Sequence, residues 1–222
     1  MFVGHFALSL GARRAAPAVS LGTLFLACQL ADLVWPNLVL LGIERVDVDP
    51  GNTVVTPLAF VSYPYSHSLV ALVLWGVLVA AVYRFVRRGS VSTAVALGLV
   101  VVSHWVLDWI AHRPDMPLTF WGATRVGLGL WNSLPGTVAV EMSMLAAGLW
   151  LYATSTRARD RTGHVALWSL VAFLLIVDVA NMVGPPPPSA RAVALTAESL
   201  WLLVLWGYWI DRHREPARAL QG

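Results

Sequence analysis

The sequence predicts an all-α integral membrane protein, with a bundle of about six transmembrane helices and a short, half-inserted N-terminal helix. Of its 222 residues, 58% are hydrophobic and only 12% are charged, whereas an average soluble domain is about 25% charged. Six apolar stretches are long enough to cross roughly 30 Å of hydrocarbon, which takes about 20 residues. Arginines cluster at the ends of these stretches, as is typical of membrane proteins.

The predicted elements form one membrane domain over residues 1–222. Residues 2–12 are expected to form the short first helix, which enters the membrane from the side of Arg13 and Arg14 and carries His5 roughly 12 Å deep. Two polar loops connect the later spans, at residues 45–68 and 113–134. The spans themselves are expected at about 18–42, 67–86, 91–112, 135–154, 164–183 and 191–210.

The arginines predict the orientation, because basic residues are enriched on the cytoplasmic side. With six spans, the N-terminal segment, the second-to-third connection, the fourth-to-fifth connection and the C-terminal tail share one side. These regions contain eleven arginines, including Arg218, against four on the other side. Both termini are therefore predicted in the cytoplasm and the two polar loops outside.

Composition also excludes several kinds of chemistry. All 15 basic residues are arginine, so lysine Schiff-base catalysis is excluded. The single cysteine, Cys28, allows neither an intramolecular disulfide nor a thiolate metal cage. Topology explains the basic pI, and no nucleic-acid partner is predicted. The expected partners are membrane lipid and a small-molecule or lipid-linked substrate.

Ionisable residues inside the predicted spans mark a candidate functional site, because burying them in lipid is costly. At about 1.5 Å per residue, all of them fall in the outer half of the bilayer. His104, Asp108 and His112 are spaced four residues apart and share one helix face, which should point into the bundle. The intramembrane groups are Asp32, His67, His104, Asp108, Glu141, Asp178 and Glu198.

Histidine and aspartate without cysteine favour a borderline divalent metal, zinc most of all, with manganese as an alternative. Glu141 is a candidate general base or a support for a metal-bound histidine. His112 and Asp115, at the outer end of the same helix, are further catalytic candidates. Arg113 and Arg125, on the outer side, are candidates for binding an anion such as phosphate.

Structural interpretations of the same residues remain open. His67 is also compatible with a helix cap in which Ser66 is the N-cap. His112 and Asp115 are compatible with a simple interfacial helix end. Asp178 and Glu198 are compatible with structural hydrogen bonding.

Four short motifs over about residues 1–115 resemble the YdjM-type membrane-bound metal-dependent hydrolases, also described as LexA-binding inner-membrane hydrolases. They are "GHFALSLG", "LADLVWP", "YSHSL" and "SHWVLDWIAHRPDMPL". The family often has paired aspartates where this chain has Asp32 alone, and Tyr63-Pro64-Tyr65 replaces its basic and glycine residues before Thr-His-Ser. The resemblance implies a bacterial inner-membrane location and five metal ligands, His5, Asp32, His67, His104 and Asp108.

These observations predict a membrane-embedded metal-dependent hydrolase that acts on a phosphoester or lipid-linked substrate. One alternative is a permease that uses the intramembrane carboxylates as a proton or cation relay. Another is a non-catalytic membrane protein with a structural metal site. The sequence alone leaves open whether the protein is an enzyme.

Overall fold

The protein is described by a computed structural model over residues 1–217; Arg218, counted above with the C-terminal arginines, lies outside the described residues. The described chain is mainly helical, with three two-stranded antiparallel sheets. The helices are α1 (Phe2–Ala15), α2 (Leu21–Cys28), α3 (Leu30–Leu40), α4 (Pro64–His67), α5 (Leu69–Arg87), α6 (Val91–Ala111), α7 (Leu134–Ser155), α8 (Arg161–Val183), α9 (Ala190–Ala197) and α10 (Leu200–His213). The strands are β1 (Arg45–Val48), β2 (Leu58–Ser62), β3 (Met116–Pro117), β4 (Arg125–Val126), β5 (Thr156–Ala158) and β6 (Arg214–Pro216).

The described residues contain five helical segments that are long and apolar enough to cross a membrane: α5, α6, α7, α8 and the segment Ala190–His213. A sixth is obtained if α2 and α3 are counted as one span, although they meet at Gln29 with a bend of 50°. The apolar helices indicate a membrane protein. The uninterrupted helix expected over 18–42 is instead a bent pair, and the last segment is interrupted between α9 and α10.

Serine and aspartate side chains define several helix starts. Each accepts a hydrogen bond from a backbone N–H three residues later, which satisfies a donor that the first turn leaves free. Ser68 caps α5, whereas Ser66, the N-cap of one alternative interpretation, lies within α4 and donates its hydroxyl to Glu44. The capping residues are Ser20, Ser68, Ser90, Ser133, Asp160 and Ser189.

The short helix α1 lies inside the bundle, where it packs against α7, α2 and α6. Its 14 residues extend about 21 Å, less than a full span. Gly148 of α7 lets the two helices approach closely, because a Cβ at that position would collide with the Ala7 carbonyl group. Small residues at such contacts are typical of helices packed in membranes. This packing positions the start of α1, including His5, beside the middle of the bundle.

The segments after α3 and α6 fold over one end of the bundle. The backbone N–H of Val55 donates to the Trp131 carbonyl at 3.1 Å and joins the two segments, and Gly129 N–H donates to the His112 carbonyl at 2.7 Å within the second one. The side chains of Tyr63 and Met116 are completely buried beneath them. At the other end of the bundle, β5 pairs with β6. The sequence analysis did not predict these small sheets, because each depends on contacts between separate segments.

Candidate metal centre

Five histidine and aspartate side chains from four helices meet in the interior of the bundle. Their ligand atoms form two groups with separations within 4.8 Å, His5 with His104 and Asp108, and Asp32 with His67 and His104. The two groups share His104. These side chains are 0–4% exposed except Asp32, which is 31% exposed. The structure therefore brings together all five residues that the family resemblance named, and these groups could hold a metal ion.

The face of α6 that carries His104, Asp108 and His112 supplies two of the five side chains. His104 Nε2 lies 3.1 Å from Asp108 Oδ2, and His112 Nε2 lies 4.0 Å from the same oxygen. The helix ends at Ala111, and the backbone N–H of His112 donates to the Asp108 carbonyl at 2.7 Å. The four-residue spacing thus carries all three side chains towards one place in the bundle.

Asp32, His67 and His104 form one of the two ligand groups, and Asp108 Oδ2, from the other group, approaches the same two histidines. Asp32 Oδ1 lies 3.3 Å from His67 Nε2 and 3.8 Å from His104 Nε2. Asp108 Oδ2 lies 3.1 Å from His104 Nε2 and 3.9 Å from His67 Nε2. Ligands at about 2.0–2.1 Å in tetrahedral geometry lie about 3.3 Å apart. We refer to these four residues as the four-donor cage, and their donor chemistry fits zinc or manganese.

The tautomers of both histidines in the cage suit metal binding. His104 Nδ1 donates to the Cys28 carbonyl at 2.7 Å, at the point where α2 ends. His104 Nε2, fully buried, has no hydrogen-bond partner among residues 1–217. His67 Nδ1 lies 2.7 Å from Ser66 Oγ. Because Nδ1 of each ring carries the proton and donates it in this hydrogen bond, Nε2 keeps a lone pair that faces the other ligand atoms.

Glu44 supports His67 through Ser66, a role that the sequence analysis missed. The Glu44 side chain is buried and accepts hydrogen bonds from the backbone of Tyr65 at 2.8 Å and of Ser66 at 3.0 Å. It also accepts from the Ser66 hydroxyl at 2.6 Å. Since that hydroxyl donates to Glu44, it must accept from His67. No local pattern around Glu44 marks this contact, which joins residues 22 positions apart.

His112 and Asp115 form a hydrogen-bonded pair beside the four-donor cage, which we call the polar pair. His112 Nδ1 lies 2.9 Å from Asp115 Oδ1, and the Tyr63 hydroxyl donates to the same oxygen at 2.9 Å. Burial, followed by the nearby Asp115 charge, raises the pKa of Tyr63 well above its usual value, so the phenol remains a donor. The His112 ring packs against Phe60 and Trp131, with centroid distances of 4.8 and 4.3 Å. His112 is thus held with its Nε2 directed at the four-donor cage.

The two arginines of the sequence analysis differ in their surroundings. Arg113 Nε lies 3.3 Å from Asp115 Oδ2, and its side chain is 44% exposed. Arg125, on β4, has a buried Nη1 with no hydrogen-bond partner among the described residues. Its charge also acts on the Tyr63 hydroxyl. Arg125 therefore has a free donor close to the polar pair.

The remaining acidic candidates lie outside the four-donor cage. Glu141 is buried on α7, and its Oε2 accepts a hydrogen bond from Gly4 N–H at 3.0 Å. It therefore holds the first turn of α1, which carries His5. Asp178 on α8 and Glu198 after α9 belong to neither ligand group.

Comparisons with models of protein families, with characterised proteins and with solved structures find no match to this chain. The resemblance to the YdjM-type hydrolases therefore rests on the short motifs alone. The geometry of the described residues is what bears on function.

Proposed function

We propose that this protein is a membrane-embedded, metal-dependent hydrolase. Its six spans would be the bent pair α2–α3, then α5, α6, α7, α8 and the segment Ala190–His213, with α1 as a half-inserted helix. Both termini would lie in the cytoplasm of a bacterium, and the metal centre in the outer half of its inner membrane. The observation that carries the proposal is the four-donor cage of Asp32, His67, His104 and Asp108.

Electrostatics supports a bound cation in the cage. Asp108 is almost fully buried, and Asp32, which is 31% exposed, approaches the same two histidines. Burying a carboxylate that has no cationic partner costs about several kcal/mol, because the charged group loses its hydration. A divalent ion, zinc most of all, offsets that cost and when bound supplies Lewis-acid chemistry for hydrolysis.

His112 is the residue best placed to accept a proton from an attacking water. Its Nε2 points to the centre, whereas Nδ1 donates to Asp115. The carboxylate fixes the tautomer in which Nε2 is the basic atom, and it stabilises the imidazolium after protonation. Tyr63 holds that carboxylate in place. In this assignment His112 is the general base and Asp115 positions it.

The arginines next to this pair support an anionic substrate. The unpaired Nη1 of Arg125 is a buried donor, and such groups are normally satisfied. A phosphoryl oxygen is an acceptor of the required charge. Arg113, engaged with Asp115, would contribute less to binding. A phosphoester, and a lipid-linked one in view of the apolar surroundings, is the substrate class that fits best.

Glu141 has a supporting role in this proposal. Its hydrogen bond to Gly4 N–H fixes the turn that carries His5. The general-base role considered from the sequence is assigned to His112 instead, because His112 Nε2 lies 4.0 Å from Asp108 Oδ2.

The proposal is tested by measuring the metal content of the purified full chain in detergent. Wild type should contain near-stoichiometric zinc or another divalent ion, and His104→Ala should lose it. His164→Ala is the matched control, because His164 is an exposed histidine at the start of α8. Folded wild-type protein that binds no divalent ion under any loading condition would refute the proposal.

Turnover distinguishes an enzyme from a protein with a structural metal site. Hydrolysis of a chromogenic phosphodiester, bis(p-nitrophenyl) phosphate, should require the ion and fall in His112→Ala, whose metal content is retained. Metal binding with no hydrolysis of that probe or of phospholipid vesicles, together with loss of stability on chelation, would favour the structural alternative.

A further inference from the structure

The two carboxylate oxygens of Asp108 face different partners. Oδ2 faces the four-donor cage, at 3.1 Å from His104 Nε2. Oδ1 points away from the cage and lies 3.1 Å from His5 Nε2. His5 and His104 therefore face different oxygens of Asp108, and His5 is not part of the four-donor cage.

The rings of His5 and His104 are stacked, with centroids 3.9 Å apart and planes inclined by only 2°. An imidazole binds a metal ion in the plane of its ring, along the nitrogen lone pair. An ion shared by two parallel rings would lie as much as about 2 Å outside each plane, half of their separation. Two stacked rings therefore suit two ions. Their spacing agrees with the separation of about 3.5–4 Å found in two-metal sites.

His5 and Asp108 belong to a ligand group of their own with His104, in which the ligand atoms lie within 4.8 Å of one another. Glu141, a further buried carboxylate, accepts a hydrogen bond at 3.0 Å from the N–H of Gly4, the residue before His5. Buried carboxylates therefore favour a cation on this side of Asp108 as well.

We infer that the centre binds two divalent ions bridged by Asp108. The first lies in the four-donor cage and the second between His5 Nε2 and Asp108 Oδ1. This inference rests on the metal centre of the proposed function and adds a second ion to it. The second ion binds more weakly than the first, because it has fewer protein donors.

The experiment is a titration of the metal-free full chain with Mn²⁺, followed by electron paramagnetic resonance. Wild type should bind two ions per chain in two separate steps. The second step should produce the spectrum of an exchange-coupled pair, since the ions lie close together. His5→Gln should bind one ion, with the uncoupled spectrum, while His164→Gln should behave as wild type.

Each outcome separates this inference from the proposed function. One ion per chain in wild type overturns the second site and leaves the hydrolase proposal intact. No bound ion overturns both. Two coupled ions in His5→Gln overturn the assignment of His5. If that variant does not fold, the number of ions and the coupled signal of wild type still decide between one site and two.

Discussion

Replacing Glu44 with glutamine should weaken metal binding without removing any ligand. In wild type the Glu44 carboxylate accepts from the Ser66 hydroxyl at 2.6 Å, and Ser66 Oγ lies 2.7 Å from His67 Nδ1. The glutamine oxygen can still accept from the backbone N–H groups of Tyr65 and Ser66. Its amide NH₂ then faces the Ser66 hydroxyl, which must accept instead of donate.

That reversal passes along the chain of hydrogen bonds. A Ser66 hydroxyl that accepts from glutamine directs its own proton at His67 Nδ1, which must then be the unprotonated nitrogen. The proton of the neutral ring moves to Nε2, the atom that faces Asp32 and Asp108. Nε2 cannot bind a metal while it carries a proton.

The expected loss of affinity is 10- to 100-fold, as found for outer partners of metal-bound histidines, or about 1.4–2.7 kcal/mol. The assay is competition with a chromophoric zinc chelator. Glu215→Gln, in an exposed ion pair with Arg157, is the matched control, and Ser66→Thr should retain wild-type affinity. A folded Glu44→Gln protein that binds zinc as tightly as wild type would show that the hydrogen bonds from Glu44 through Ser66 do not control the protonation of His67.

Three further changes probe other parts of the molecule. Asp115→Asn should leave the metal content unchanged and lower hydrolysis by about 10²- to 10⁴-fold, the usual contribution of acid–base catalysis; unchanged turnover with the phosphodiester probe would contradict the assigned base. Gly148→Ala should lower stability in detergent by about 1–3 kcal/mol, because its Cβ would collide with the Ala7 carbonyl; a melting temperature equal to that of wild type would contradict the contact. Asp160→Asn should destabilise the protein at neutral pH, because hydrogen bonding to His213 lowers the pKa of Asp160 below its usual 3.8. A lowered carboxyl pKa stabilises the folded state above pH 3.8 and ceases to do so as the pH falls through the folded-state value, so the two proteins should converge in acid; a difference that stays constant from neutral pH down through the acid range would contradict this cause.

Several features of the fold were predictable because they depend on local sequence. Hydropathy over about 20 residues identified the apolar helices. The spacing of His104 and Asp108 placed them on one face of α6. Each of these properties is determined within a few turns of helix.

Other features could not be predicted, because they depend on packing between distant segments. The break at Gln29 was not apparent in the apolar run around it, yet the end of α2 supplies the Cys28 carbonyl that binds His104. Likewise, Glu44 lies in a polar loop beside other acidic residues, and only the folded chain places it against Ser66.

The amino-acid order by itself determined a helical, strongly apolar protein with ionisable groups at particular helix positions, because helix formation and hydropathy act over short stretches of chain. The tertiary structure alone decided which of those groups meet. His5 and Asp108 are 103 residues apart along the chain and His104 and Cys28 are 76 apart. Such contacts follow from how the helices pack, and helix packing depends on the shapes of all the neighbouring surfaces together.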